Sequence, residues 1–203
     1  MIGVYAIIDP AACLGRDPCV IAAAALRGGC TRLQLRAKGM PDRALLGLAQ
    51  ALATACRDAS TPFVITVRVD LALLSGAAEV HLGQDDLPVV SARAVTPGLR
   101  VGRSTHDLAQ VRAARAEGAD RIAFGPVFPT RSKIDPEPVV GLEALAQAIE
   151  LAGPTPVVAI GGIDLARAQA LRGLGLGEVA VISAICAADD PERATRMLRE
   201  ALA

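Results

Sequence analysis

The sequence has no tryptophan, one tyrosine and three phenylalanines in 203 residues. Its core must therefore be assembled from Ala, Val, Leu and Ile, and a platform for stacking nucleobases is missing. An excess of either charge is missing too. Lys and Arg number 21 against 21 Asp and Glu, which removes the positive field that binding to nucleic-acid backbones or anionic membranes requires. Neither nucleic acid nor a membrane is an expected partner. No apolar run approaches the roughly 20 residues that cross a bilayer as a helix; the hydrophobic residues come in short runs such as 4–8 and 157–160. The first residues enter an apolar, strand-like run without a basic leader or a small-residue cleavage site, and the five cysteines form no CxxC pair and leave one over. Both features make a reducing, cytoplasmic compartment the expectation. Cys13 and Cys19 lie near a loop and invite a redox role, but small buried or semi-exposed thiols are the plainer expectation.

What the chain does contain is aliphatic: 52% of it is hydrophobic. That suffices for one substantial core and not for a second, so a single domain over 1–203 is expected. Short β-branched runs alternate with Ala-, Leu- and Arg-rich stretches of helical length, the pattern of βα units around a parallel sheet. Strands are predicted at 4–9, 32–36, 63–67, 79–82, 99–103, 121–125, 156–161 and 179–183. Helices are predicted at 18–27, 41–59, 69–75, 89–94, 107–117, 142–152, 165–173 and 191–202, several with Asp, Ser or Pro near their starts. Eight such pairs in roughly 200 residues predict an α/β fold, a single (β/α)8 TIM barrel near the lower limit of that architecture. A doubly wound open sheet is the alternative. The barrel is preferred because the polar residues of interest fall at or just beyond strand C-terminal ends, where barrels build active sites. The proline-rich segment 126–141 reads as an active-site loop or as a stiffened surface loop.

Near the end of the chain, Gly161-Gly162-Ile163 follows the seventh predicted strand and Ile182-Ser183 closes the eighth. Glycines let an oxyanion approach backbone N–H groups, and a helix N-terminus adds partial positive charge, so a phosphate pocket is expected there; tight turns are the alternative. At the end of the second strand, alternation places Gln34, Arg36 and Lys38 on one side, facing the interior. Three such side chains converging inward would be costly without an anionic or heterocyclic ligand, whereas a solvated strand end needs none. Beyond the fourth strand, His81-Leu82-Gly83-Gln84-Asp85-Asp86 offers two adjacent carboxylates. These could ligate Mg2+ together with phosphate oxygens, or cap the helix that begins after Pro88. His81 itself reads as a buried, satisfied imidazole. Ser104 and His106 follow the fifth strand, where His106 reads as a general acid or base or simply as a neighbour of the helix cap at Asp107. Thr130, Arg131, Ser132 and Lys133 on the long loop could hold a second phosphate, with Lys133 neutralising a leaving group.

Taken in order, Tyr5 to Pro10, Gln34 to Lys38, Arg68 to Ala72, His81 to Pro88, Gly102 to His106, Phe124 to Lys133, Ala159 to Ile163 and Ile182 to Ile185 resemble the landmarks of the thiamine-phosphate synthase family and of the related thiazole tautomerase (TenI) branch. The likeness spans nearly the whole chain. It implies a TIM barrel that joins hydroxymethylpyrimidine diphosphate to thiazole phosphate and releases pyrophosphate. It further implies that Gln34, Arg36 and Lys38 hold the diphosphate, that Asp86 ligates Mg2+, with Asp85 as the adjacent second carboxylate, and that Ser104 contacts the pyrimidine. Lys133 would meet pyrophosphate, while Thr130, Arg131, Ser132, Gly161, Gly162, Ile182 and Ser183 cradle the thiazole phosphate. One departure stands out: where the synthase pattern has Asn-Asp before Arg-Val-Asp, this chain has Thr66-Val67 before Arg68-Val69-Asp70. Thr66 can keep a hydrogen bond to pyrophosphate, but Val67 cannot coordinate Mg2+. The tautomerase branch, which uses a histidine matched in place by His106, and a non-catalytic phosphate-binding barrel therefore remain as alternatives. Aliphatic surface on the outer helices leaves homo-oligomerisation open.

Overall fold

A computed structural model describes residues 2–130, 132 and 137–203. Eight parallel strands, β1 (Gly3–Ile8), β2 (Arg32–Leu35), β3 (Phe63–Thr66), β4 (Glu79–Leu82), β5 (Arg100–Thr105), β6 (Arg121–Phe124), β7 (Val157–Ile160) and β8 (Glu178–Val181), pair in chain order and close when β8 meets β1. The expected barrel is the observed one, and an open sheet is excluded. Around it run α1 (Pro18–Arg27), α2 (Asp42–Asp58), α3 (Val69–Ser75), α4 (Val89–Val95), α5 (Leu108–Ala116), α6 (Gly141–Ala152), α7 (Leu165–Ala168), α8 (Ser183–Cys186) and α9 (Pro191–Ala201). Asp17, Asp107, Asp164 and Asp190 each accept a backbone N–H at the starts of α1, α5, α7 and α9. A cap of this kind contributes about 1 kcal/mol to its helix. No helix among the described residues is long and apolar enough to cross a membrane.

Most elements fall within a residue or two of expectation, and three differ in ways worth naming. Strand β5 runs on to Thr105 because Ser104 and Thr105 pair with Ala123 and Phe124 of β6, so Ser104 is a strand residue and not a loop residue. Strand β8 stops at Val181, two residues short of the predicted end at 183, and Ser183 opens the one-turn helix α8, which has no counterpart among the predicted helices. The predicted helix at 165–173 is likewise shorter, passing from α7 into a 3-10 turn at Gln169–Leu171.

Alternate residues of each strand point inward and stack in layers contributed by alternate strands, as barrel geometry requires. The lowest layer is charged: Arg32 of β2, Glu79 of β4, Arg121 of β6 and Glu178 of β8. Arg32 reaches Glu79 and Glu178 at 3.0 Å each, and Arg121 reaches Glu178 at 2.8 Å and Glu79 at 3.5 Å. Two cations and two anions thus close a ring with no net charge, all of it buried. Burial pushes the Glu79 carboxyl up against the opposing pull of both guanidiniums, and pushes the Tyr5 phenol well above its ordinary value. The Tyr5 ring sits 5.6 Å from the Arg32 guanidinium and seals the ring from above. Next come Tyr5, Val64 and Val158, with Gly102 completing the layer; a Cβ there would stand 2.6 Å from the His81 ring. Above lie Gln34, His81, Ala123 and Ala180, then Ile7, Thr66, Ser104 and Ile160. Because Gly102, Ala123 and Ala180 are small, the upper barrel is hollow where the lower barrel is plugged.

Candidate active site

The hollow opens at the C-terminal rim as three joined lobes. A broad lobe of about 490 Å³ lies among the loops after β2, β3 and β4 and is lined by Lys38, Thr66, Val67, Asp85 and Asp86. An axial lobe of about 120 Å³ descends past Gln34 and Arg36 to Tyr5. A narrow lobe of about 60 Å³ faces the loops after β6 and β7 and is lined by Thr130, Ser132, Gly161 and Ile182. Ser104 lines all three, and His106 lines the broad and narrow ones.

Period-two geometry aims Gln34, Arg36 and Lys38 at this mouth, as expected. The Tyr5 hydroxyl donates to Gln34 Oε1 at 2.7 Å, Gln34 Nε2 donates to Thr66 Oγ1 at 2.6 Å, and the Thr66 hydroxyl donates to the Leu35 carbonyl at 2.9 Å. This chain fixes which end of the amide faces which way and leaves Gln34 one N–H for a ligand. Arg36 is ion-paired with Asp9, whose other oxygen accepts the Ala11 N–H. This carboxylate, one residue past β1, was not singled out from sequence. Lys38 has no ion-pair partner among the described residues.

Asp86 Oδ2 accepts the Gly83 N–H at 2.5 Å, so it closes its own turn and does not cap α4, which starts without a side-chain cap. Asp85 is exposed at the rim of the broad lobe. Next to them, Val67 stands at φ +68°. Its N–H donates to the His81 carbonyl, and the Arg68 N–H donates back to the Thr66 carbonyl, each at 2.8 Å. That is a γ-turn centred on a β-branched residue in left-handed conformation, a rare and strained arrangement. Arg68 anchors the turn: it grips Asp70 at 2.7 and 2.9 Å and Asp42 at 2.6 Å, and holds both carboxyls below the usual carboxylate range. As for Mg2+, a cation that accepts one or two carboxylates plus phosphate oxygens finds Asp86 Oδ1 and Asp85 here and a hydrocarbon at Val67. No group of three or more His, Cys, Asp or Glu gathers among the described residues. The donor set fits a metal that arrives with a diphosphate better than a resident one.

His81 is buried, with Nε2 at 2.9 Å from Ser104 Oγ. His106 Nδ1 lies 2.6 Å from the Gly125 carbonyl. A carbonyl can only accept, so Nδ1 carries the hydrogen and Nε2 of the neutral ring is an acceptor. Gly161 (φ +99°) and Gly162 (φ +64°) serve packing first: side chains there would strike Pro126 and the Pro129 carbonyl of the neighbouring loop. The two loops are stitched by Val127 N–H to Ile160 O at 2.9 Å and Phe128 N–H to Gly161 O at 3.1 Å. Of the expected phosphate-holding residues, Thr130, Ser132, Gly161 and Ile182 line the narrow lobe. Gly162 and Ser183 do not, and Arg131 and Lys133 lie outside the described residues. One carboxylate the sequence reading passed over, Glu137, lines both the broad and narrow lobes; only its place on the 126–141 loop could have signalled it. All five cysteines are free; Cys13 is buried and Cys19 half-buried, and burial raises both thiols, as the plainer expectation for them has it, while burial pushes Cys30, Cys56 and Cys186 up to about 12.

Comparison with known proteins bears directly on this mouth. Residues 4–185 match the family described as thiamine monophosphate synthase. The chain is 44% identical over 200 residues to a thiamine-phosphate synthase of Anaeromyxobacter dehalogenans (strain 2CP-C), covering 98% of this chain and 87% of the relative. It is 43% identical over 197 residues to one of Laribacter hongkongensis (strain HLHK9), covering 96% and 92%. Among solved structures, thiamine phosphate pyrophosphorylase from Pyrococcus furiosus superposes with a TM-score of 0.90 at 34% identity, over 99% of this chain and 95% of the other. A 3-hexulose-6-phosphate synthase, with a TM-score of 0.71 at 20% identity over 100% of both chains, shares the fold alone.

Proposed function

The chain belongs to the thiamine monophosphate synthase family, and from that membership we propose how its mouth couples hydroxymethylpyrimidine diphosphate to thiazole phosphate. The carbon–oxygen bond to the diphosphate breaks, its electron pair leaving with pyrophosphate. The thiazole nitrogen lone pair forms the new carbon–nitrogen bond, giving thiamine phosphate. No proton has to be removed from the nucleophile, so what is needed is positioning and charge neutralisation. The observation that carries this reading is the joining of the three lobes at Ser104, which lets two phosphorylated guests meet in one mouth.

In this reading the pyrimidine enters the axial lobe beside Ser104 and the fixed Gln34 amide. Its diphosphate extends into the broad lobe toward Arg36, Lys38 and Thr66. The thiazole phosphate occupies the narrow lobe against Thr130, Ser132, Gly161 and Ile182, with Arg131, Gly162 and Ser183 as the further family-matched positions. Lys133 is the family-matched contact to departing pyrophosphate. Mg2+, if carried in by the diphosphate, would be held by Asp86 with Asp85 beside it and would neutralise charge on the leaving group. A cytoplasmic compartment suits free thiols and soluble phosphorylated substrates. His106, which lines the mouth and whose Nε2 is an acceptor in the neutral ring, also supports a second reading in which it moves a proton on a carboxythiazole phosphate, as a thiazole tautomerase would.

The test is direct: purified protein is incubated with both substrates across a range of Mg2+ concentrations and thiamine phosphate is followed by chromatography. Product formation is expected, and none at any Mg2+ level overturns the synthase reading. For the second reading, conversion of the carboxythiazole isomer that persists in His106→Asn removes it.

A further inference from the structure

We propose that Glu137 stabilises the positive charge that appears on the thiazole ring as the carbon–nitrogen bond forms, making it a charge-selecting residue of the coupling step. The inference rests on the synthase reading and deepens it. Bond formation turns a neutral ring nitrogen into a quaternary thiazolium, while the opposite charge departs with pyrophosphate. A site complementary to the transition state needs an anion near the ring and cations near the leaving group. Among the described residues, the cations lining the mouth are Arg36 and Lys38 on the β2 side and Arg68, which is committed to Asp42 and Asp70. On the other side, Glu137 is the one carboxylate among the described residues lining the narrow lobe, and it also borders the broad lobe beside Ser104 and His106. Among the described residues it has no hydrogen-bond or ion-pair partner. Asp85 and Asp86 face only the diphosphate side.

A carboxylate beside an anion-binding lobe opposes binding of thiazole phosphate. It therefore acts by raising turnover and not by tightening the ground state, and this gives a signature that a structural role lacks. In Glu137→Gln, kcat is expected to fall about tenfold, the size of effect one unit charge exerts on another several ångströms away in a partly solvated site. KM for thiazole phosphate should stay the same or drop. Glu137→Asp should recover part of kcat. A second measurement needs no catalysis: calorimetric titration with thiamine phosphate, whose ring is cationic, and with thiazole phosphate, whose ring is neutral. The ratio of the two affinities should shift about tenfold against thiamine phosphate in Glu137→Gln. An unchanged ratio overturns the proposal, as does a change in the Mg2+ half-saturation in place of the ratio, which would assign Glu137 to the metal. If the wild type made no thiamine phosphate while the ratio still shifted, the synthase reading would fail and the charge selectivity would stand. A normal thermal melt for the variant is expected because the side chain is exposed.

Discussion

Replacing Val67 by asparagine should make this protein more stable, although it removes apolar surface. Val67 sits at φ +68°, where an L-residue is disfavoured by roughly 1–2 kcal/mol and a β-branched one by the upper part of that range. Asparagine enters this region readily because its short polar side chain bonds locally. Against the relief stands the loss of partly exposed methyl groups, about 0.5 kcal/mol at ~25 cal/mol per Å². The γ-turn is held from outside by the Val67 N–H to His81, by the Arg68 N–H to Thr66 and by the grip of Arg68 on Asp42 and Asp70, so it should survive the exchange. A net gain of about 1 kcal/mol corresponds to a melting temperature higher by roughly 2–4 °C in a domain of this size. Urea unfolding at pH 7 measures the first and a thermal scan the second. Val67→Asp should share the conformational gain and also place a carboxylate in the broad lobe beside Asp86. Its melting temperature should therefore rise further when Mg2+ and pyrophosphate are added together, by mass action on the folded state, and its synthase rate should become more Mg2+-dependent. Destabilisation by both substitutions would refute the strain argument. A Mg2+ response no larger than that of the wild type would refute the metal argument.

Removing one charge from the buried ring, as in Glu79→Gln, should cost about 3–5 kcal/mol in urea unfolding, because Arg32 and Arg121 would lose half of their compensation; a cost below about 1 kcal/mol would mean the ring is not dry. Tyr5→Phe should leave the fold in place but free the Gln34 amide to turn, raising KM for the pyrimidine diphosphate severalfold with a smaller change in kcat. An unchanged KM would show that Thr66 alone orients Gln34. Arg68 sets an acid-limb prediction: Asp70 and Asp42 have folded pKa values below their unfolded ones, so their stabilising contribution is present above the ordinary carboxylate range and is lost as pH falls through the depressed values. Arg68→Leu should flatten the stability profile below about pH 4, and an unaltered acid limb would exclude the clamp as its source.

The barrel was legible because its strands and helices differ sharply in period and because interior residues alternate faithfully; Gln34, Arg36 and Lys38 were placed by that rule alone. The same rule, applied one turn lower, would have found Arg32, but an isolated arginine at a strand start looks solvated. Only closure brings Glu79 and Glu178 against it from β4 and β8. Asp9 was invisible as the partner of Arg36 for the same reason, being 27 positions away and adjacent only through β1–β2 pairing. Gly161 and Gly162 signalled that something comes close to the backbone, and the signal was sound. What comes close at Gly162 is the neighbouring loop, which no local motif could distinguish from a phosphate. The left-handed turn at Val67 was hidden because valine is the residue least expected there.

The charged ring under Tyr5 turns the barrel into a vessel with a floor. Whatever enters must leave by the way it came: in the proposed reading the joined product, whose pyrimidine end reaches down the axis, has no exit but the mouth it shares with pyrophosphate.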